Sequence, residues 1–281
     1  FGLGFIIGPY LGGRLSGPGK DFYGLFTTPS WFGATTPFLF AAVISLINCS
    51  QILLTLPETL ANKDPNRRLQ LHQSFSNVLA GFRSARLRTV LATAFLYASG
   101  FTFFTSFFGV FLRNKFGFDE GKTGDYFAIV GLFIAFSQAV LVGRVAKRLV
   151  DFRVLRFSLI GTGAMILVYF ASPTSTTFWL YAPIPVLAFF QGLTISNTTS
   201  LVSRSAEMGR QGEAMGIYSS VTSLAQVPAS VLLGYITGSI SSATPLLVAG
   251  TCIITGGLVF LAVFRPTYVS GSAVPAAGAA H

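Results

Sequence analysis

Apolar residues in this chain come in long uninterrupted runs separated by short polar stretches. They show neither the alternation of a half-buried strand nor the single stripe of a surface helix. Uncharged runs include Thr89 to Leu112, Phe157 to Ser203 and Ala214 to Phe264. A helix crosses about 30 Å of hydrocarbon in roughly 20 residues, so each run holds one or two spans. Turn formers divide the two longest, Ser172 to Thr176 in one and Ser239 to Pro245 in the other. The pattern predicts a short first segment over about residues 1–13 and helices near 36–56, 89–112, 126–143, 155–171, 177–199, 214–237 and 246–264.

Composition agrees with this reading. Charged residues make up 10% of the 281, against about 25% in a water-soluble domain, so the chain lacks a polar coat. The fold class expected is all-α, a polytopic bundle in contact with membrane lipid. The net charge of +10 does not indicate nucleic acid, because the basic residues sit in loops between apolar runs. Positive charge is retained on the cytoplasmic side of a membrane. Alternate loops (57–88, 143–156, 204–213 and the segment after 264) hold 14 Lys and Arg, and the opposite side holds five: Arg14, Lys20, Arg113, Lys115 and Lys122. The first group, with the C-terminus, is therefore expected inside. Residues 57–88 read as a cytoplasmic linker between a first helical part (1–56) and a second (89–264), and residues 265–281, rich in Ala, Gly and Ser, as a disordered tail. Cys49 and Cys252 lie in separate apolar runs and suit neither a disulfide framework nor a zinc site.

Gly4, Gly8 and Gly12 recur along one face of the first segment, Pro9 follows Gly8, and Gly13 completes a pair. Small residues at this spacing let helix backbones approach closely in lipid. This pattern resembles the fifth-helix signature of drug/proton antiporters of the major facilitator superfamily. Trp31-Phe32, Pro37-Phe38, Asn48 and Leu56-Pro57-Glu58-Thr59 are similar to that family's sixth helix and its exit. The resemblance implies that the chain covers about helices 5 to 12 of a twelve-helix fold, with four helices and part of a fifth expected to precede it. Val227-Pro228 in the eleventh span echoes Gly8-Pro9, as the fold's internal pseudo-symmetry implies.

Gly143-Arg144-Val-Ala-Lys147-Arg148 resembles the second-half copy of the family's cytoplasmic loop motif, although no second glycine follows the basic pair. Glu213 enters the same face from a neighbouring loop. Arg144, Arg148 and Glu213 are accordingly the candidate cytoplasmic gate.

No Asp, Glu, Lys, Arg or His lies near the middle of a full span; Asp125 and Glu213 sit at helix ends. Proton coupling is thus expected to reside in the preceding helices. The candidate substrate contacts are uncharged: Asn48, Thr102, Ser106, Gln138, Gln191, Asn197 and Gln226. Each is costly to leave facing lipid. The resemblance places helices seven and ten beside the cavity, which raises Gln191 and Asn197. Helix seven has two faces. The small polar one (Ala98, Thr102, Ser106, Gly109) is expected to look inward, and the aromatic one (Tyr97, Phe101, Phe104, Phe108, Phe111) to meet lipid. Pro183 and Pro185 are expected to bend helix ten.

The function expected is secondary transport across a plasma (inner) membrane: proton-coupled efflux of a hydrophobic or amphipathic compound, as in the tetracycline and multidrug branch. An uptake carrier for a sugar or metabolite is the alternative. A membrane-embedded enzyme is a remote one, since His72 and His281 both fall outside the spans. No phosphate-cradling loop appears, and no cofactor or metal is expected. The partners expected are a small-molecule substrate, protons, lipid and the preceding helices.

Overall fold

A computed structural model describes residues 2–22, 26–57, 79, 81–84, 87–148, 151–173, 176–206, 210–239, 241 and 243–264. Among the described residues, ten helices follow in order: α1 (Gly2–Leu15), α2 (Thr36–Thr55), α3 (Arg88–Phe116), α4 (Glu120–Phe136), α5 (Gly143–Arg148), α6 (Asp151–Ala171), α7 (Phe178–Tyr181), α8 (Ile184–Ser205), α9 (Gln211–Ser239) and α10 (Thr244–Val263). A π-helical segment, Ser137–Val142, joins α4 to α5 without a break, and two two-residue strands, β1 (Asp21–Phe22) and β2 (Phe26–Thr27), pair antiparallel. Among the described residues, six helical stretches are long and apolar enough to cross a membrane: Thr36–Thr55, Arg88–Phe116, Glu120–Val145, Phe152–Ala171, Phe178–Ser205 and Thr244–Val263. The span expected at 214–237 is α9, 29 residues long, and it is not among those six. The linker expected at 57–88 lies largely outside the described residues, and the tail at 265–281 wholly so.

The chain divides into two compact units, one formed by residues 1–71 with 118–131 and the other by 72–117 with 132–281. The sequence reading places residues 118–131 in the second helical part; here they pack with the first 71. In the first unit, α2 buries none of its apolar window, whereas α1 crosses the start of α4 closely. A methyl group on Gly124 would stand 2.7 Å from the Pro9 carbonyl oxygen and 3.4 Å from Gly13 Cα, and one on Gly131 would stand 2.6 Å from Ile6 N. A methyl group on Gly13 would run into the Glu120 carbonyl. The expected close-packing face, Gly4, Gly8 and Gly12, meets nothing within 4 Å. The reason lies in the opposite helix. A backbone approaches closely where a helix lacks a side chain, and α4 provides that at Gly124, opposite Pro9 and Gly13, and at Gly131, opposite Phe5 and Ile6.

In the second unit α10 packs against both α3 and α6, α8 against α6 and the π segment, and α9 against α3. Glycines set these spacings as well: Gly100 of α3 faces the Ala249 carbonyl of α10, and Gly163 of α6 faces that of Gly250. The hydroxyl of Ser99 donates to the Ala225 carbonyl at 2.9 Å, tying α3 to α9. The aromatic stripe of α3 is the interior of this unit rather than a lipid-facing surface, which corrects the expectation. Phe104, Phe107, Phe108 and Phe111 are all buried. Phe108 meets Tyr169 of α6 edge-on with ring centroids 5.2 Å apart, and Phe104 lies 6.1 Å from the same ring. The small polar face is the more open one: Ala98, Thr102 and Gly109 are half-buried and Ser106 is exposed.

Candidate functional site

Helix α8 begins where the sequence forbids continuation from α7. Pro183 caps it and Pro185 occupies its first turn, where a missing N–H costs nothing. The two prolines therefore mark the joint between the short α7 and α8 within the membrane-length stretch Phe178–Ser205. From that start, Gln191, Thr194, Asn197 and Thr198 fall at intervals that bring them to one buried side. The Thr194 hydroxyl reaches Ser158 Oγ of α6 at 2.9 Å and the Phe190 carbonyl at 2.9 Å. Asn197 donates from Nδ2 to the Leu193 carbonyl at 2.7 Å, and Thr198 to the Thr194 carbonyl at 2.7 Å. These polar groups are satisfied within or between helices.

Gln191 is different. It is 1% exposed, and its Nε2 has no hydrogen-bond partner; neither does the buried Ser137 Oγ at the first position of the π segment. Gly192 brings the two elements together: a methyl group there would stand 3.2 Å from Ser137 Oγ and 3.5 Å from Gln138 Cγ. Val142, Val154 and Leu193 form an apolar cluster beside this junction, with Val145 and Phe189 packed on it. A buried polar group left unpaired costs about 1–3 kcal/mol. Both unpaired groups lie on the two elements that meet at Gly192, α8 and the π segment, which also carries the half-buried Gln138, and each offers a hydrogen-bonding atom in apolar surroundings. Such an atom suits an uncharged polar atom on a largely apolar ligand.

The structure thus joins Gln138 with Gln191 and places Asn197 further along the same helix. The other candidates are separate. Asn48 is exposed on α2 in the first unit. The Thr102 hydroxyl is taken up by the Ala98 carbonyl at 2.8 Å, Ser106 is exposed and Gln226 is exposed on α9. Sequence reasoning missed Ser137, Ser158 and Thr194. Only their position in otherwise uncharged spans marked them, and that they share with many Ser and Thr.

The gate residues are resolved in part. Glu213 is held by Arg210, whose Nε and Nη2 donate to its two carboxylate oxygens at 2.9 Å each. Arg144 donates to the Val140 carbonyl at 2.8 Å, and the Arg148 side chain lies outside the described residues. Arg210 is therefore the partner Glu213 has in this conformation. A second charged site, unforeseen from the sequence, lies in the first unit. Arg14 Nη2 donates to both carboxylate oxygens of Asp125, each at 3.1 Å.

Comparison with known proteins supplies the family. Residues 1–230 match the model of the Major Facilitator Superfamily. The chain is 28% identical over 261 residues to multidrug resistance protein 2 of Bacillus subtilis, covering 90% of this chain and 59% of that protein. It is 24% identical over 244 residues to the class H tetracycline resistance protein of Pasteurella multocida, covering 84% and 55%. It is also 24% identical over 240 residues to hippocampus abundant transcript-like protein 1 of Rattus norvegicus, covering 83% and 46%. The chain spans about half the length of these curated relatives. With membrane-length helices in the described residues and a family match over most of its length, this chain belongs to the Major Facilitator Superfamily.

Proposed function

We propose that this protein is a secondary active exporter of small hydrophobic or amphipathic organic compounds, driven by proton exchange, in a plasma (inner) membrane with its C-terminus in the cytoplasm. The observation that carries the reading is the buried, unpaired Gln191 Nε2 on α8, the helix that meets the π segment bearing Ser137 and Gln138 at Gly192. An uncharged hydrogen-bonding spot inside an apolar, aromatic bundle fits a ligand that is mostly apolar with a few polar atoms. The similarity to multidrug and tetracycline resistance proteins supports the same direction. Asn197 on α8, the open small face of α3 with Thr102 and Ser106, the exposed Gln226 on α9 and the exposed Asn48 on α2 are further candidate contacts, each taken by itself. Arg144, Arg148 and Glu213 form the cytoplasmic gate, with Arg210 holding Glu213 when the gate is parted.

The test is drug efflux by the reconstituted protein under an imposed pH gradient, comparing Gln191→Leu with the parent. Leu removes a buried amide that makes no hydrogen bond from Nε2, so stability is expected to hold or rise. Efflux is expected to fall at least about tenfold, the loss of one hydrogen bond to ligand. Unchanged efflux by a well-folded Gln191→Leu variant removes this residue from the substrate path.

A further inference from the structure

The pair Arg14–Asp125 sits beside the closest backbone contact in the first unit. Arg14 follows Gly13 and Asp125 follows Gly124, the two glycines whose backbones meet where α1 crosses α4. Both carboxylate oxygens of Asp125 accept from Arg14 Nη2 at 3.1 Å, with side chains 25% and 42% exposed. The Arg14 guanidinium also lies 5.6 Å from the centre of the Tyr10 ring. Because the ion pair is one residue from the crossing on each helix, the two helices cannot separate at this end without parting it.

The surroundings are charged and open to water. Lys20 Nζ donates to the Gly13 carbonyl and to Ser16 Oγ, both at 2.9 Å, closing the C-terminal end of α1 with a cation. It stands 3.9 Å from Glu120 Oε2. Arg14, Lys20, Asp21, Asp119 and Gly121 line an open cavity of about 320 Å³, so solvent reaches the pair. Asp119 accepts at 2.7 Å from the Lys122 backbone N–H and so caps the first turn of α4. The titratable groups around Asp125 are therefore Tyr10, Arg14, Lys20 and Asp21 from the side of α1, and Asp119, Glu120 and Lys122 from its own. Asp125 alone among the acids lies a full turn inside the span Glu120–Val145, at the end opposite Arg144.

We propose that Asp125 is a proton-binding site and that Arg14–Asp125 is a proton-sensitive latch on the α1–α4 crossing. A proton from the aqueous phase adds to an Asp125 carboxylate oxygen and competes with Arg14 for the same acceptor. Arg14 stays cationic throughout, since a guanidinium does not deprotonate in a protein, and it turns from a neutral carboxyl group to water. The latch then opens at the end of α4 away from Arg144. This inference rests on the transport reading for its purpose but not for its geometry, and it gives the chain a proton site of its own.

The test uses the full chain in liposomes with Cys49→Ser and Cys252→Ser, and nitroxide labels at Gly17→Cys and Gly121→Cys. Dipolar broadening reports their separation whether or not drug moves. Strong broadening near pH 7 is expected to weaken in acid buffer. Asp125→Asn is expected to show the weak state at both pH values, and the exchanged pair Arg14→Asp with Asp125→Arg to regain strong broadening near pH 7. Glu120→Gln is expected to keep the parent's response. Equal broadening at both pH values in the parent overturns the proposal. So does a response lost in Glu120→Gln but kept in Asp125→Asn, and so does an exchanged pair that folds but never broadens. A pH response in a chain that exports no drug leaves the latch standing and removes the exporter reading instead.

Discussion

At Gly131 a side chain of any size meets the backbone nitrogen of Ile6 at 2.6 Å, while at Gly12 it meets nothing within 4 Å. Both are glycines in apolar helices, and only the element opposite tells them apart. Gly131→Leu is expected to destabilise the first unit by about 1–3 kcal/mol, the ordinary cost of overpacking. Gly12→Leu is expected to stay within about 0.5 kcal/mol. Thermal melts of the two variants in detergent, followed by circular dichroism, check this; equal midpoints would mean that the crossing does not form. The repeating Gly4, Gly8, Gly12 face was legible in the sequence, but its packing was not. The glycine that answers Gly13, Gly124, lies over a hundred residues away, where no local pattern marks it.

The segment Ser-Gln-Ala-Val-Leu-Val reads as ordinary apolar helix, yet Ser137–Val142 forms a π turn. One extra residue per turn shifts the register between the polar end of α4 and Arg144. Such turns are set by tertiary packing and recur at functional sites; here the packing partner is α8, across Gly192. Deleting Ala139 returns the segment to α-helical register and rotates everything beyond it by about 100°, one residue at 3.6 per turn. The expected outcome is a protein with unchanged helicity whose efflux is lost, read by circular dichroism and transport in parallel. Retained efflux would make the π turn incidental. The aromatic stripe of α3 teaches a related point. Its spacing predicted a single apolar face, and α3 has one, but that face meets Tyr169 and not lipid.

Across the whole molecule, the uneven distribution of Lys and Arg orders the loops. With 14 basic residues on one set and five on the other, Gln211 is expected inside and Lys115 outside. In a background without Cys49 and Cys252, Lys115→Cys is expected to react with an impermeant maleimide from intact cells, and Gln211→Cys only after permeabilisation. The reverse pattern would invert the topology and, with it, the side on which the Arg14–Asp125 latch faces.

The sequence by itself determined that the chain is a helical membrane protein, where its apolar segments lie, where Pro and Gly interrupt them, and which family its glycine and proline pattern resembles. Those properties follow from run length, charge and local turn chemistry, all of which act over a few residues. Tertiary structure alone decided which apolar face meets protein, which glycines touch, which carboxylate holds Arg14, and that Gln191 Nε2 and Ser137 Oγ stay buried and unpaired. The reason is that lipid and protein interior are equally apolar to a helix. Hydrophobicity places a residue within a span without telling which neighbour it faces, and a hydrogen-bond partner on another helix leaves no mark on the local sequence.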